Sequence, residues 1–365
     1  MHIIKKILNE IDDVLLSDYD INLQGSEFDS LILPITDDCG KLDPDIYARS
    51  LDQSKAIITR ILEVHGKAEI VKFLRELALI EPDIQELQPR VRDHVVHAIY
   101  TFLVGAYIIK KVNMPQNVEM QYCYPFIWKL CGPVHDIGYT IEISRYIENP
   151  FLNDLNAILM EMDSTSPKVL PPAFPKQLAM LCNGRDANQL IQNRLNEWAL
   201  GIDIEDYYHW LTRENLTDHG VIGALAELKF IDALYQSHNP TRAEVDIVEA
   251  DLNYNEKTFM EDIVSAASAI FIHNINPDYD GFSRKIDFQI APMAFMLFMC
   301  DTFQEWDRYT KKEDEVYSGD LFDIVCSRDR VSLSVPDEVE DKIITALKRR
   351  LSGLSIKVNG RKAVS

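Results

Sequence analysis

His135 and Asp136 stand side by side in the segment CGPVHDIGY, where a Gly-Pro turn leads a polar pair into a helix. Imidazole nitrogens and carboxylate oxygens are the groups that hold divalent transition metals and move protons in catalysis. Taken alone, adjacent polar residues of this kind commonly cap a helix or satisfy one another. This pair has company. His97 lies on the otherwise apolar stretch HAIYTFLVGAYI, His219 opens HGVIGALAEL, His273 closes SAASAIFIH, and Asp301 interrupts APMAFMLFMCDTFQEW. Each breaks a strongly apolar run, and a buried imidazole or carboxylate left unpaired costs several kcal/mol. For any one histidine, a tyrosine or carbonyl partner is the ordinary explanation. Four histidines and two aspartates on separate helices are better explained together, by a metal centre built between helices.

The order and local context of these residues resemble the HD-domain superfamily of metal-dependent phosphohydrolases, an all-helical family named for an adjacent His-Asp dyad. The pattern stands here as His97, then His135-Asp136, then Asp301, with His219 and His273 in the interval where binuclear branches insert two further histidines. The segment HGVIGALAEL is similar to that family's His-x-x-x-Gly-Ala-x-x-x-Leu helix. The resemblance covers about residues 90 to 310. It implies that His97, His135, Asp136 and Asp301 hold a first metal, and that Asp136 bridges to a second held by His219 and His273. Nitrogen and carboxylate ligands suit Mn, Fe, Zn, Ni or Co better than Ca, without choosing among them. His94, in RDHVVH, is a candidate general acid by analogy with the close histidine pair of cyclic-nucleotide phosphodiesterases; the alternative is a surface histidine beside Asp93.

The chain departs from the cyclic-di-GMP branch of that family. Tyr139 stands where HDIGK-type stretches carry lysine, and the segment after His273, HNINPDYDGFS, lacks the HHE and GYP signatures. Candidates to meet a substrate phosphate are therefore Tyr139 itself with Arg92, Arg145 and Arg308, each arginine being by default a surface or ion-pair group. The implied activity is hydrolysis of a phosphoester or phosphoanhydride of a small phosphorylated substrate, expected to be a nucleotide, with Asp136 catalytic as the bridge and the metals activating water to hydroxide. Two other readings share these ligands: a di-iron oxygenase of the HD superfamily, and a metal-bound regulatory module without catalysis.

The elements that must position these residues are read from periodicity. Apolar spacing predicts helices over Ser54 to Leu79, Val95 to Lys111, Tyr122 to Cys131, Gln177 to Leu181, His219 to Tyr235, Glu256 to Asn274 and Ala291 to Tyr309, with an amphipathic helix at the amino terminus. Pro167 to Pro175 and Asn276 to Ser283 read as loops. Near the carboxyl terminus, Leu321 to Cys326, Val331 to Val335 and Ser355 to Val358 read as short strands around a helix from about Asp337 to Leu351. The expected fold is mainly α: a helical HD-type bundle over 86–312, an N-terminal helical region over 1–85, and a small α+β appendage with a basic tail over 313–365. A length of 365 residues agrees with two or three such units.

The composition, 47% hydrophobic and 26% charged, excludes global disorder, and the net charge of −21 disfavours a nucleic-acid partner. From Lys342 onward there are seven basic residues and no acid, so the rest of the chain carries −28. That tail is either solvated, in contact with the acidic body, or a docking patch for an anionic partner. The six cysteines form no CxxC pair and read as reduced core residues. With no signal peptide and no membrane-length apolar run, the expectation is a cytoplasmic protein that does not engage membranes and has room to form a homo-oligomer. The tryptophans read as core or interface aromatics, and His2, His65, His209 and His238 carry no assigned role.

Overall fold

From Val95 to Ile108 every side chain is buried, so this segment cannot be an amphipathic surface helix; it is a central one, wrapped on all sides. The structure is a computed structural model that describes residues 1–11, 28, 31, 44–63, 92–116, 124–139, 142, 176–182, 184–237, 256–308 and 317–361. Among these, helices are α1 (Ile3–Glu10), α2 (Pro44–Glu63), α3 (Val95–Lys111), α4 (Tyr124–Cys131), α5 (Lys176–Ala179), α6 (Ala187–Glu197), α7 (Ile204–Arg213), α8 (His219–Ser237), α9 (Val264–His273), α10 (Pro292–Phe303) and α11 (Asp337–Arg350). A π-helical turn, Phe259–Ile263, feeds α9. The body is mainly helical, with a small sheet region near the carboxyl terminus.

α9 sits at the middle of the bundle, against α8, α10, α6 and α4. All ten of its residues are buried, and its run of Ala and Ser side chains lets neighbouring backbones come close. Two glycines on the facing elements show how close. A Cβ on Gly220 of α8 would lie 2.7 Å from the Ile270 carbonyl, and one on Gly138 would lie 2.0 Å from the His219 carbonyl. Without these glycines the dyad turn, α8 and α9 could not meet at the distances the centre requires.

Near the carboxyl terminus, β2 (Asp323–Ser327) pairs antiparallel with β3 (Arg330–Pro336), which pairs parallel with β5 (Ser355–Arg361). α11 makes the crossover and lays Val339, Ile343 and Leu347 into the same buried cluster as Ile324, Val331 and Leu333. Acids in its first turn and Lys348, Arg349 and Arg350 in its last complement the helix dipole. A short parallel pairing of β1 (Ile286–Asp287) with β4 (Leu351–Ser352) ties this unit to the loop that follows α9. Arg350 strengthens the tie, donating to the Ile275 carbonyl at 3.1 Å and lying over the Phe282 ring. The hydrophobic cluster is shared, running from Ile3 to Leu351.

The differences from the sequence reading are local. α2 begins at Pro44, ten residues before Ser54, because proline at the first helical position starts a helix without losing a bond. α6 and α7, neither anticipated, are short and rich in polar residues, and both start at a cap: the Asp186 and Asp203 carboxylates accept from the backbone N–H of Asn188 and of Asp206. The Gln177–Leu181 stretch is one helical turn, Lys176–Ala179, and the Ala291 helix stops at Phe303. Cys182 is exposed, so it is not a core cysteine, whereas Cys131 and Cys300 are buried; none of the four described cysteines is disulfide-bonded. Of the tail cations, Lys342 reaches the helical body, pairing with Glu305 at 2.6 Å, whereas Arg361 pairs within the carboxy-terminal unit, with Asp323 at 3.4 Å. His2 has a partner after all, Asp307 at 2.6 Å. No described helix is long and apolar enough to cross a membrane. Cys39, Cys123, His65, His238, Arg145, Lys362 and the Pro167–Pro175 segment lie outside the described residues.

Candidate metal centre

Five elements deliver the six predicted residues to one place. α3 brings His97, whose backbone N–H donates to the Asp93 carboxylate at 3.0 Å and so fixes the start of the helix. The Gly132–Val134 turn presents His135 and Asp136, α8 opens with His219, α9 closes with His273, and α10 carries Asp301. The Nε2 atoms of His97 and His135 are 3.3 Å apart. Asp301 Oδ1 lies 2.9 Å from His97 Nε2 and 3.8 Å from His135 Nε2. Asp136 Oδ1 lies 3.5 Å from His135 Nε2, 3.3 Å from His219 Nε2 and 3.6 Å from His273 Nε2, while its Oδ2 is 3.9 Å from His97 Nε2. Two trios, His97-His135-Asp136 and Asp136-His219-His273, could each hold a cation, and Asp136 belongs to both.

The opposite ring nitrogen settles which tautomer each imidazole takes when neutral. His135 Nδ1–H donates to the Gly132 carbonyl at 2.8 Å, and His273 Nδ1–H to the Ile270 carbonyl at 2.6 Å. His97 Nδ1–H meets the Gln304 amide oxygen, whose own amide nitrogen donates to the Trp306 carbonyl. His219 Nδ1–H donates to the Glu142 carboxylate at 2.7 Å. With its proton on Nδ1, a neutral imidazole offers only a lone pair at Nε2. With all four rings neutral, four lone pairs would face two carboxylates, acceptors against acceptors in a buried space. His273 Nε2 is buried and makes no hydrogen bond. Such a set repels itself unless protons or cations sit inside it, and nitrogen and carboxylate donors with carbonyl-anchored imidazoles are what a transition metal takes. The residues fit a metal.

Electrostatics in the metal-free protein tell the same story. Burial works against charge on Asp136, yet His135, His219 and His273 overcome it and hold its carboxyl well below the usual range. Burial likewise opposes Asp301, and hydrogen bonds from His135 and His97 prevail, lowering it well below the ordinary value. The reciprocal effect raises His135, where burial is outweighed by Asp136 and Asp301. It raises His219 further, where burial is outweighed first by Glu142 and then by Asp136. Negative charge in this pocket draws in cations, and protons are only the nearest ones.

The remaining candidates fall around the rim. His94 is buried and stacks on Tyr139, ring centroids 3.5 Å apart, so it is not a surface histidine. Burial, foremost, pushes it well below its ordinary pKa against the pull of Asp136, and an acid role would need a proton gained against that cost. Tyr139 also meets the His219 ring edge-on at 5.3 Å, bridging the two histidines. Arg92 Nη1 pairs with Glu305 at 2.8 Å, a carboxylate it shares with Lys342. Arg308 donates to the Asp93 carbonyl at 3.2 Å. Both arginines are thus anchored beside the start of α3, and no bond joins them to the metal-ligand candidates among the described residues. Asp301, with 29% of its side chain exposed, is the candidate ligand nearest solvent.

Reading the sequence alone missed the supporting residues. Gln304 follows Asp301 by one helical turn, and that spacing was the available signal. Glu142 and Asn274 had none, since the partner of Glu142 lies 77 positions away. Asp218 Oδ1 accepts from Gly220 N–H at 2.8 Å and Asn274 Nδ2 at 3.1 Å, and its Oδ2 accepts from Tyr207 at 2.5 Å. A cavity of about 280 Å³ lies behind His219, bordered by Glu142, Asp218 and Asn274. Compared with protein-family models, with curated proteins and with solved structures, the chain finds no match.

Proposed function

We propose that this chain is a metal-dependent phosphohydrolase of HD type, binding two transition-metal ions and cleaving a phosphoester or phosphoanhydride of a small substrate, a nucleotide being the expected class. The observation that carries the reading is the convergence of four imidazole Nε2 atoms on Asp136 and Asp301, each ring held from behind by an acceptor at Nδ1. When bound, paired metals supply Lewis acidity, lowering the pKa of a coordinated water and neutralising phosphate oxygens.

The chain's own residues do the rest. Asp136 presents one oxygen to His135, His219 and His273 and the other toward His97, the posture of a carboxylate shared between two positions. The Nδ1 acceptors hold each ring with Nε2 turned to the centre, so loading needs no ring flip. The partly exposed Asp301 marks the side from which a substrate reaches the centre. A protein of net charge −21 repels a polyanion at large, which favours a compact anion that meets positive charge only at one point.

The deciding experiment measures metal content of protein purified without chelator, then phosphate release across a nucleotide panel with Mn, Mg, Co and Fe. An anaerobic assay of the Mn-loaded protein in labelled water should proceed and place label in phosphate. Loss of turnover without dioxygen would overturn hydrolysis in favour of the oxygenase reading, and absence of metal uptake would overturn both.

A further inference from the structure

We infer that Glu142 is a positioning residue that puts a carboxylate behind one imidazole of the centre, His219, and so tunes one of the two cation positions. The inference rests on the reading of the centre as two positions sharing Asp136. Three of the four imidazoles lean on neutral acceptors: His97 on the Gln304 amide, His135 on the Gly132 carbonyl, His273 on the Ile270 carbonyl. His219 alone leans on a charge. Glu142 accepts at Oε2 from His219 Nδ1 at 2.7 Å and from the His219 backbone N–H at 2.8 Å, so one oxygen fixes both the ring and the start of α8. The amide nitrogen of Asn274 lies 3.2 Å from the same Nδ1, but it is a donor and is used by Asp218. The carboxylate is therefore the acceptor that sets the tautomer.

The asymmetry has a physical reason. Among the described residues, the position beside His97 and His135 has two carboxylates within reach, Asp136 and Asp301, whereas the position beside His219 and His273 has the shared Asp136 alone. Glu142 supplies the missing negative charge at one remove, through the ring, where it strengthens the donor lone pair at Nε2. Its carboxylate also borders the 280 Å³ cavity, so an isosteric change there disturbs no packed core.

The test is a Co(II) titration of metal-free wild type and Glu142→Gln, following visible absorption and bound equivalents by elemental analysis. Wild type should take up two equivalents. Glu142→Gln should keep the first at wild-type affinity and bind the second roughly 10- to 100-fold more weakly, with a changed absorption for that equivalent. Glu142→Asp should recover part of the loss, and the metal-free variants should still unfold in one cooperative transition, which shows that they fold. Equal weakening of both equivalents would mean a merely structural role and overturn the inference, as would a second equivalent bound as in wild type. A wild-type protein that takes up no second equivalent overturns the two-metal reading itself, a failure visible before any variant is compared.

Discussion

The two halves of the centre are built from the same ligand types and differ in how they carry charge. Beside His97 the negative charge is in direct reach: Asp301 lies 2.9 Å from Nε2, and the ring is braced by a neutral amide. Beside His219 the directly reachable charge is the shared Asp136, and a second carboxylate stands behind the ring. Burial differs too, since the His97 side chain is fully enclosed and that of His219 is 12% exposed. The lesson is that cation affinity can be assembled from ligands or from what the ligands lean on. The second route costs less desolvation, because its extra carboxylate stays near a cavity and not in the packed interior.

The comparison breaks most completely at its common member. Asp136→Ala should leave four imidazoles without their shared carboxylate, bind neither cation, and lose turnover to background, with elemental analysis falling from about two metals per chain to none. Equal activity in this variant and wild type would refute the assignment. Next in size are His97→Ala and His219→Ala, each of which should remove one equivalent and spare the other, His219→Ala taking the second; titration calorimetry that shows both sites lost in either variant would contradict two separable halves. A smaller effect is expected of Gln304→Ala, which frees the His97 tautomer and should weaken the first equivalent by about 10- to 100-fold, read from competition with a chelator.

The mildest perturbation is pH. In the metal-free protein His135 and His219 are raised above their unfolded value by Asp136 and Glu142, and a raised histidine contributes stability that is present below the unfolded pKa. That contribution is lost as pH climbs through the folded-state pKa. Thermal melts in chelator should therefore show stability declining from neutral toward alkaline pH. Metal reverses the trend, because cations must displace those protons and so bind better as pH rises. Loaded protein should lose its advantage toward acid and release protons on loading. A metal-free melting temperature that rises with pH over this range would contradict the assigned electrostatics.

Much of this was legible along the chain because it depends on interruption. A polar residue inside an apolar helix such as α9 or α10 is costly, and the cost is visible without coordinates. The carboxy-terminal unit was legible for a different reason: alternation in β3, acids at the start of α11 and bases at its end are local signals that its structure follows. α6 and α7 were less plain: Leu190, Ile191 and Leu195 in one and Ile204, Tyr207 and Leu211 in the other do fall at helical spacing, but in short stretches dominated by polar residues. The rim arginines were readable as cations and not as partners of Glu305 and Asp93, since those pairings cross between elements far apart in sequence.

By itself the sequence determined which residues could ligate, that His97, His219, His273 and Asp301 ride on helices, and that the chain would bury them at a cost demanding compensation. Only the tertiary structure decided that α9 comes close enough to α8 for His273 and His219 to share Asp136, an approach permitted by Gly138 and Gly220. It alone decided which group stands behind each ring: a carbonyl three residues back for His135 and His273, an amide 207 positions away for His97, a carboxylate for His219. Ligand identity is a property of a side chain and is written in the sequence. A tautomer, a shared carboxylate and a second charge behind a ring are properties of distances, and those are set by how helices pack.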